Sequence, residues 1–293
     1  MRLRRAIVAS VLLMMTSLPS ASPRLWSAEQ RPSRIISAIP AVTEMLFAIG
    51  AGPQVVAVGS FDTYPPEIAG LARVGALIDP DLEKMLALRP DLVVVYETQF
   101  DLRRQLERAR VPVFRYRHAG LADVTAIVRA LGTRVGRTTA ADAVAADIER
   151  SLGAIRARVA GRRRPGTLVV LGRETGALRG IYASGGVGFI HDMVEAAGGT
   201  NIFADVRRES VQATSELILA RGPEVIVELN AAPISDAGRA AERAVWQVLS
   251  AVPAVRNGRL HMIGDERTVV PGPRVAQGTE LIARALHPDV FKQ

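Results

Sequence analysis

Two stretches of the chain carry the same short plan. Residues 82–95 read LEKMLALRPDLVVV, and residues 215–229 read SELILARGPEVIVEL. Glu83 and Glu216, Leu86 and Leu219, Ala87 and Ala220, Pro90 and Pro223 are each separated by 133 positions (216 − 83 = 133). In both copies an acid opens a helical run, a proline region closes it, and a largely apolar strand follows, broken in the second copy by Glu228. Proline removes a backbone donor and stops the helix. An uninterrupted run such as LVVV suits a parallel strand buried on both faces. Two copies this far apart cannot stack as a solenoid. The repeat therefore predicts two similar α/β lobes.

The rest of the chain is consistent with that plan. RIISAIP (34–40) is strand-like, and AVTEMLFAIG (41–50) reads as a helix ended by Gly50. VVAVGS (55–60) is a strand, and FDTYPPE (61–67) is a loop enforced by Pro65 and Pro66. Asp79 and Pro80 are expected to open the helix that runs to Leu88. Helix 101–110, strand 111–116 and helix 122–131 complete an alternating, doubly wound α/β half. Residues 138–159 form one unbroken helical pattern of about six turns. On it Ala141, Val144, Ile148, Leu152 and Ile155 share a face. TLVVLG (167–172), the helix after SGGVGF (184–189), the second copy of the repeat, RLHMIG (259–264) and a helix over 274–286 build the other half. The expected boundaries are a leader at 1–28, a first α/β lobe at 29–137, an interlobe helix at 138–160 and a second α/β lobe at 161–293, with a ligand cleft between the lobes.

The leader is read from MRLRR followed by the apolar AIVASVLLMM, a length suited to a signal peptide and short of the ~20 residues a membrane span needs. Its cleavage would leave a mature protein in a periplasm. The chain has no Cys, so no lipid-modified Cys follows the leader and no disulfide is expected. The net charge of +8 comes from Arg scattered among Glu and Asp without aromatic interleaving, which argues for a solvated surface and against nucleic acid.

Nothing in the sequence assembles a catalytic centre. The four His (118, 191, 261, 287) are isolated from one another and from acids at metal-ligand spacing. A G-x-S-x-G elbow, a P-loop and a dinucleotide fingerprint are all missing. The chain is therefore expected not to be an enzyme, to have no cofactor of its own and to hold no metal through its own side chains. Ligands of open α/β sheets sit beyond the carboxyl ends of the strands. Tyr64, Tyr96 and Tyr182 fall near such ends in a chain with only 4% aromatic residues, which suggests a flat, partly apolar ligand between the lobes. Asp265, Glu266 and Arg267 follow another strand end. Glu83 and Glu216 stand near helix N-termini, where a carboxylate answers the helix dipole. As an equivalent pair they would also give each lobe one acidic knob.

RIISAIPAVTEMLFAIGAG, DTYPPE, the paired units above, GFIHDMVEAAGGTNIFAD and WQVLSAVPAVRNGRLHMI together resemble the periplasmic substrate-binding proteins of ABC importers for vitamin B12, haem and ferric siderophores. The resemblance runs from about Arg34 to Leu286. It implies two lobes joined by one long helix, a monomer, and a cobalt- or iron-containing chelate as the ligand. It also implies an ABC permease dimer as the partner, engaged through Glu83 and Glu216. DTYPPE and PGPRV look most like corrinoid receptors. On that match Ala41, Tyr64, Tyr96, Tyr182 and Asp265 would line the cleft. Haem or a ferric siderophore is the alternative ligand, with Arg267 and Arg274 as candidate contacts for an acidic chelate. An exported enzyme or a membrane-anchored sensor on the same fold are the rivals from other classes.

Overall fold

A computed structural model describes residues 31–291 apart from His118. The expected leader lies outside these residues. The first sheet comprises β1 (Ile35–Ser37), β2 (Val55–Val58), β3 (Ala72–Arg73), β4 (Leu92–Tyr96) and β5 (Val113–Tyr116). Its order is β3-β2-β1-β4-β5, and every pairing is parallel. The central strands β1, β2 and β4 are largely buried on both faces, as the Val-rich runs of β2 and β4 require. The helices of this half are α1 (Pro40–Ala48), α2 (Leu82–Ala87), α3 (Phe100–Arg108) and α4 (Leu121–Val135).

Helix α5 (Thr138–Val159) then carries the chain to the second half. It buries Ala141, Ala145, Ile148, Leu152, Ile155 and Val159. The second sheet contains β6 (Gly166–Gly172), β7 (Ile181–Ser184), β8 (Thr200–Asn201), β9 (Ser210–Ala213), β10 (Val225–Asn230) and β11 (Leu260–Gly264). Its main order is β11-β10-β6-β7-β9, with β8 paired to β6. Helices α6 (Phe189–Ala196), α7 (Ser215–Arg221), α8 (Asp236–Val245), α9 (Pro253–Arg256) and α10 (Val275–Leu286) surround it. None of the helices among the described residues is long and apolar enough to cross a membrane.

The fold is a two-lobed α/β architecture, as the repeat predicts, with three refinements. First, β7 runs antiparallel to both β6 and β9, so the second sheet is mixed. Tyr182 lies within β7 rather than in an irregular connection. Second, α2 is capped by Asp81, whose side chain accepts from the Lys84 N–H; Asp79 instead turns back on Ala76. Third, α8 lies in a segment not assigned to any element from the sequence, and none of its residues is buried.

The lobes share a core. One apolar cluster runs from Ile35 and Met45 through Leu152 and Ile155 to Ile282 and Leu286. Helix α5 is thus packed on both sides rather than held out as a free strut. Close packing also fixes the second lobe's contribution to the cleft. A Cβ on Gly278 of α10 would meet the Arg267 carbonyl at 2.0 Å, so only glycine lets α10 approach the turn Glu266–Thr268.

Candidate ligand cleft

The cleft opens at the carboxyl ends of the strands, where both lobes send loops toward each other. Its volume is about 770 Å³, and it is lined from one side by Pro40, Glu44, Phe61, Thr63 and Tyr64. The facing wall comes from residues 231–233 after β10, from Gly264 at the end of β11, and from Asp265, Glu266, Arg267, Val270 and Arg274 beyond it. That volume falls within the range of small-molecule and cofactor sites.

The first wall is built by a short, pinned loop. Arg73 donates to the carbonyls of Gly59 (3.0 Å) and Asp62 (2.7 Å), and so clamps the start of the Phe61–Tyr64 segment. Phe61 is 73% exposed and Tyr64 38% exposed, so this wall offers aromatic surface to the cleft. Asp62 points the other way and is buried. Burial pushes its carboxyl up to about 6, opposed in part by nearby Thr43, Gly59 and Arg73. Neither of its oxygens accepts a hydrogen bond of ordinary geometry.

The second wall is polar. Asp265 caps the turn Glu266–Thr268 by accepting from the Arg267 N–H, and its carboxylate also takes the Arg267 guanidinium at 2.8 and 2.5 Å. This pairing with Arg267 holds the Asp265 carboxyl below its ordinary range.

Across the cleft floor the lobes are joined by charge. Arg274 donates to both carboxylate oxygens of Glu44 (2.9 and 2.5 Å) and to Glu266 (2.6 Å). Its guanidinium also lies 3.7 Å from the centre of the Tyr64 ring. Thr63 donates to the other oxygen of Glu266 at 2.6 Å. Burial alone would lower the pKa of Arg274, but the bonds to Glu44 and Glu266 raise it. For Glu44 the balance is reversed: burial raises its carboxyl despite Arg274. Burial would also raise Glu266, but Thr63 and Arg274 lower it.

Of the residues singled out in the sequence, the structure brings Tyr64, Asp265, Arg267 and Arg274 together in the cleft lining. Ala41 is buried beneath it. Tyr96 is half-buried at the end of β4, edge-on to Tyr116 with ring centres 5.2 Å apart. Tyr182 is exposed on β7, outside the lining. Glu83 and Glu216 stand exposed in the first turns of α2 and α7, and neither takes part in an ion pair with a described residue. Glu44, Thr63 and the 231–233 loop escaped the sequence reading. Glu44 did leave a signal, as the one acid in the otherwise apolar stretch AVTEMLFAIG.

A family model for periplasmic binding proteins matches residues 35–266. The chain belongs to that family. Family members are substrate-binding transport proteins rather than enzymes, and they serve ABC import. Among the relatives is an uncharacterized ABC transporter substrate-binding lipoprotein of Bacillus subtilis, YvrC, 27% identical over 94% of this chain and 87% of its own length. A vitamin B12-binding protein of Pectobacterium carotovorum is 30% identical over 76% of this chain and 79% of its own. Among solved structures, the apo form of the periplasmic haem-binding protein RhuT of Roseiflexus sp. RS-1 superposes with a TM-score of 0.74. It is 26% identical, and the match covers 88% of this chain and 99% of RhuT.

Proposed function

We propose that this chain captures a corrinoid, vitamin B12 first among them, in the interlobe cleft and delivers it to an ABC importer. The observation that carries the reading is the asymmetry of the cleft. One wall presents Phe61 and Tyr64, and the other presents backbone and polar groups whose guanidiniums are already paired. A flat macrocycle with an apolar face and a rim of neutral amides fits such a pair of walls. A ferric siderophore rich in carboxylates fits less well, because Arg267 and Arg274 are committed to Asp265, Glu44 and Glu266. Haem is the second reading. It is supported by the Tyr64 phenol in the cleft and by the haem-binding relative.

Delivery would use Glu83 and Glu216. Each is exposed and lies in the first turn of its helix, and the two occupy the same position of the repeated unit. A permease dimer with one basic pocket per subunit would receive both. In this reading the protein is a monomer, and it reaches the periplasm through a cleaved leader at about 1–28.

Calorimetric titration with cyanocobalamin, haemin and a ferric siderophore panel tests the ligand. Tight one-to-one binding of cyanocobalamin alone supports the corrinoid; tight binding of haemin or a siderophore instead overturns it. Replacing both Glu83 and Glu216 by Ala is expected to abolish uptake of the ligand by cells while leaving its affinity unchanged. Equal loss of binding would remove the docking assignment.

A further inference from the structure

The charge cluster on the cleft floor does more than join the lobes. Arg274, at the start of α10, reaches Glu44 on α1, a residue 230 positions earlier. It also takes Glu266 from its own lobe. Glu266 is in turn held by Thr63 from the opposite lobe. The guanidinium plane is closed on a further side by the Tyr64 ring. Arg267 is closed in the same way by Asp265 and, at 3.3 Å, by Gln277. The cleft lining therefore holds two guanidiniums and three carboxylates, Glu44, Asp265 and Glu266. Each guanidinium answers a carboxylate of the protein, and one negative charge is left over. Glu44 and Arg274 are 3% and 17% exposed at the side chain, so water screens their pair poorly.

We propose that Glu44 and Glu266 set the charge selectivity of the cleft: by engaging Arg274 internally, they make the cleft accept neutral or cationic chelates with amide rims and reject chelates whose rim carries carboxylates. The inference rests on the corrinoid reading and sharpens it. Arg274 is a positioning residue in this scheme. It holds the Tyr64 ring as a platform and draws no anion to the cleft.

The test compares two ligands of nearly equal shape: cyanocobalamin, and a monocarboxylate made from it by hydrolysing one peripheral amide. The wild-type protein is expected to bind the monocarboxylate roughly tenfold more weakly, the size of one partly screened charge–charge repulsion across a cleft. In Glu266→Gln the ratio of the two affinities, measured in the same variant, is expected to shrink to about twofold or less. Glu266→Asp retains the charge and is expected to restore the discrimination, which a purely structural role for Glu266 would not do. Glu266 is part-exposed, so its amide variant is the primary one; a thermal melt confirms its fold before titration. Equal binding of both ligands by the wild type, or unchanged discrimination in Glu266→Gln, overturns the charge selectivity alone. Failure of the wild type to bind cyanocobalamin overturns the corrinoid reading and this inference with it.

Discussion

In the first lobe α2 starts at Asp81, whose carboxylate accepts from the Lys84 N–H. In the second, α7 starts at Thr214, whose hydroxyl accepts from the Leu217 N–H. The two caps are 133 positions apart (214 − 81 = 133), the same spacing as Glu83 and Glu216. The helices also end alike, at a left-handed residue: Arg89 with φ 48 and Gly222 with φ 55, again 133 apart (222 − 89 = 133). β4 and β10 then enter their sheets beside β1 and β6. The equivalence stops on the far side of those central strands. There the first sheet continues with parallel β2 and β3, and the second with antiparallel β7 and β9. It also stops in the loops. The first lobe hangs Phe61 and Tyr64 over the cleft, whereas the second hangs Asp265, Glu266, Arg267 and Arg274. A shared scaffold places two walls face to face, and loops free of the shared pattern make one wall aromatic and the other charged.

The largest effect is expected where the walls are tied. Arg274→Met leaves Glu44 buried without its counter-charge and should cost about 3–5 kcal/mol in urea unfolding. The second lobe has its own buried cluster, in which Arg173 holds Glu228 and Glu242 and the Trp246 ring N–H donates to Glu228. Arg173→Met should cost a similar amount, about 3–5 kcal/mol. It should nevertheless leave the stack on Tyr64 and the ligand affinity in place, because that cluster lies within one lobe. If both variants lose affinity equally, the cleft-floor tie has no special part in binding.

A smaller effect is expected at Asp62, which has no like in the second wall. Its folded-state pKa is raised to about 6, so the folded protein holds this proton more tightly than the unfolded chain does. The group therefore favours folding below its unfolded value, and that contribution is lost as pH rises through about 6. At pH 7.5 Asp62→Asn should stabilise the protein by about 1–3 kcal/mol, with the gain shrinking as pH falls toward 5. Thermal melts across that pH range measure it; a gain that is constant with pH would contradict the buried-carboxylate account.

The smallest effect concerns the paired helix ends. Gly222→Ala should cost about 1 kcal/mol, and Arg89→Gly should gain up to about 1 kcal/mol, because a left-handed backbone favours glycine. Opposite signs at equivalent positions would sharpen the comparison. Equal signs would show that the two ends differ in ways the backbone angles do not capture.

The scaffold was legible in the sequence because its signals are local. Pro90 and Pro223 stop helices, Val-rich runs make buried strands, and the spacing of apolar residues in 138–159 marks the long helix. The antiparallel β7 was not legible, because IYAS carries no mark of strand direction. The helix cap was misplaced by two residues because Asp79 and Asp81 flank the same proline, and only the backbone turn decides between them. The cleft was legible where residues lie at or just beyond strand ends, as Asp265 does directly after β11 and Tyr64 does in the loop after β2. Tyr182 also looked like such a residue but sits on a strand face, and Tyr96 turns toward Tyr116. Glu44 is a helix residue that reaches the cleft only because α1 starts at the carboxyl end of β1. Its partner lies 230 positions away, a distance no local pattern spans.

The most direct measurement is a crystal structure of the protein grown with cyanocobalamin. The corrin is expected between the two walls, one face toward Phe61 and Tyr64 and its amide rim toward Asp265 and the 231–233 loop. The Glu44–Arg274–Glu266 tie should remain intact beneath it. A corrin bound outside this cleft, or a tie broken so that Arg274 contacts the ligand, would contradict it.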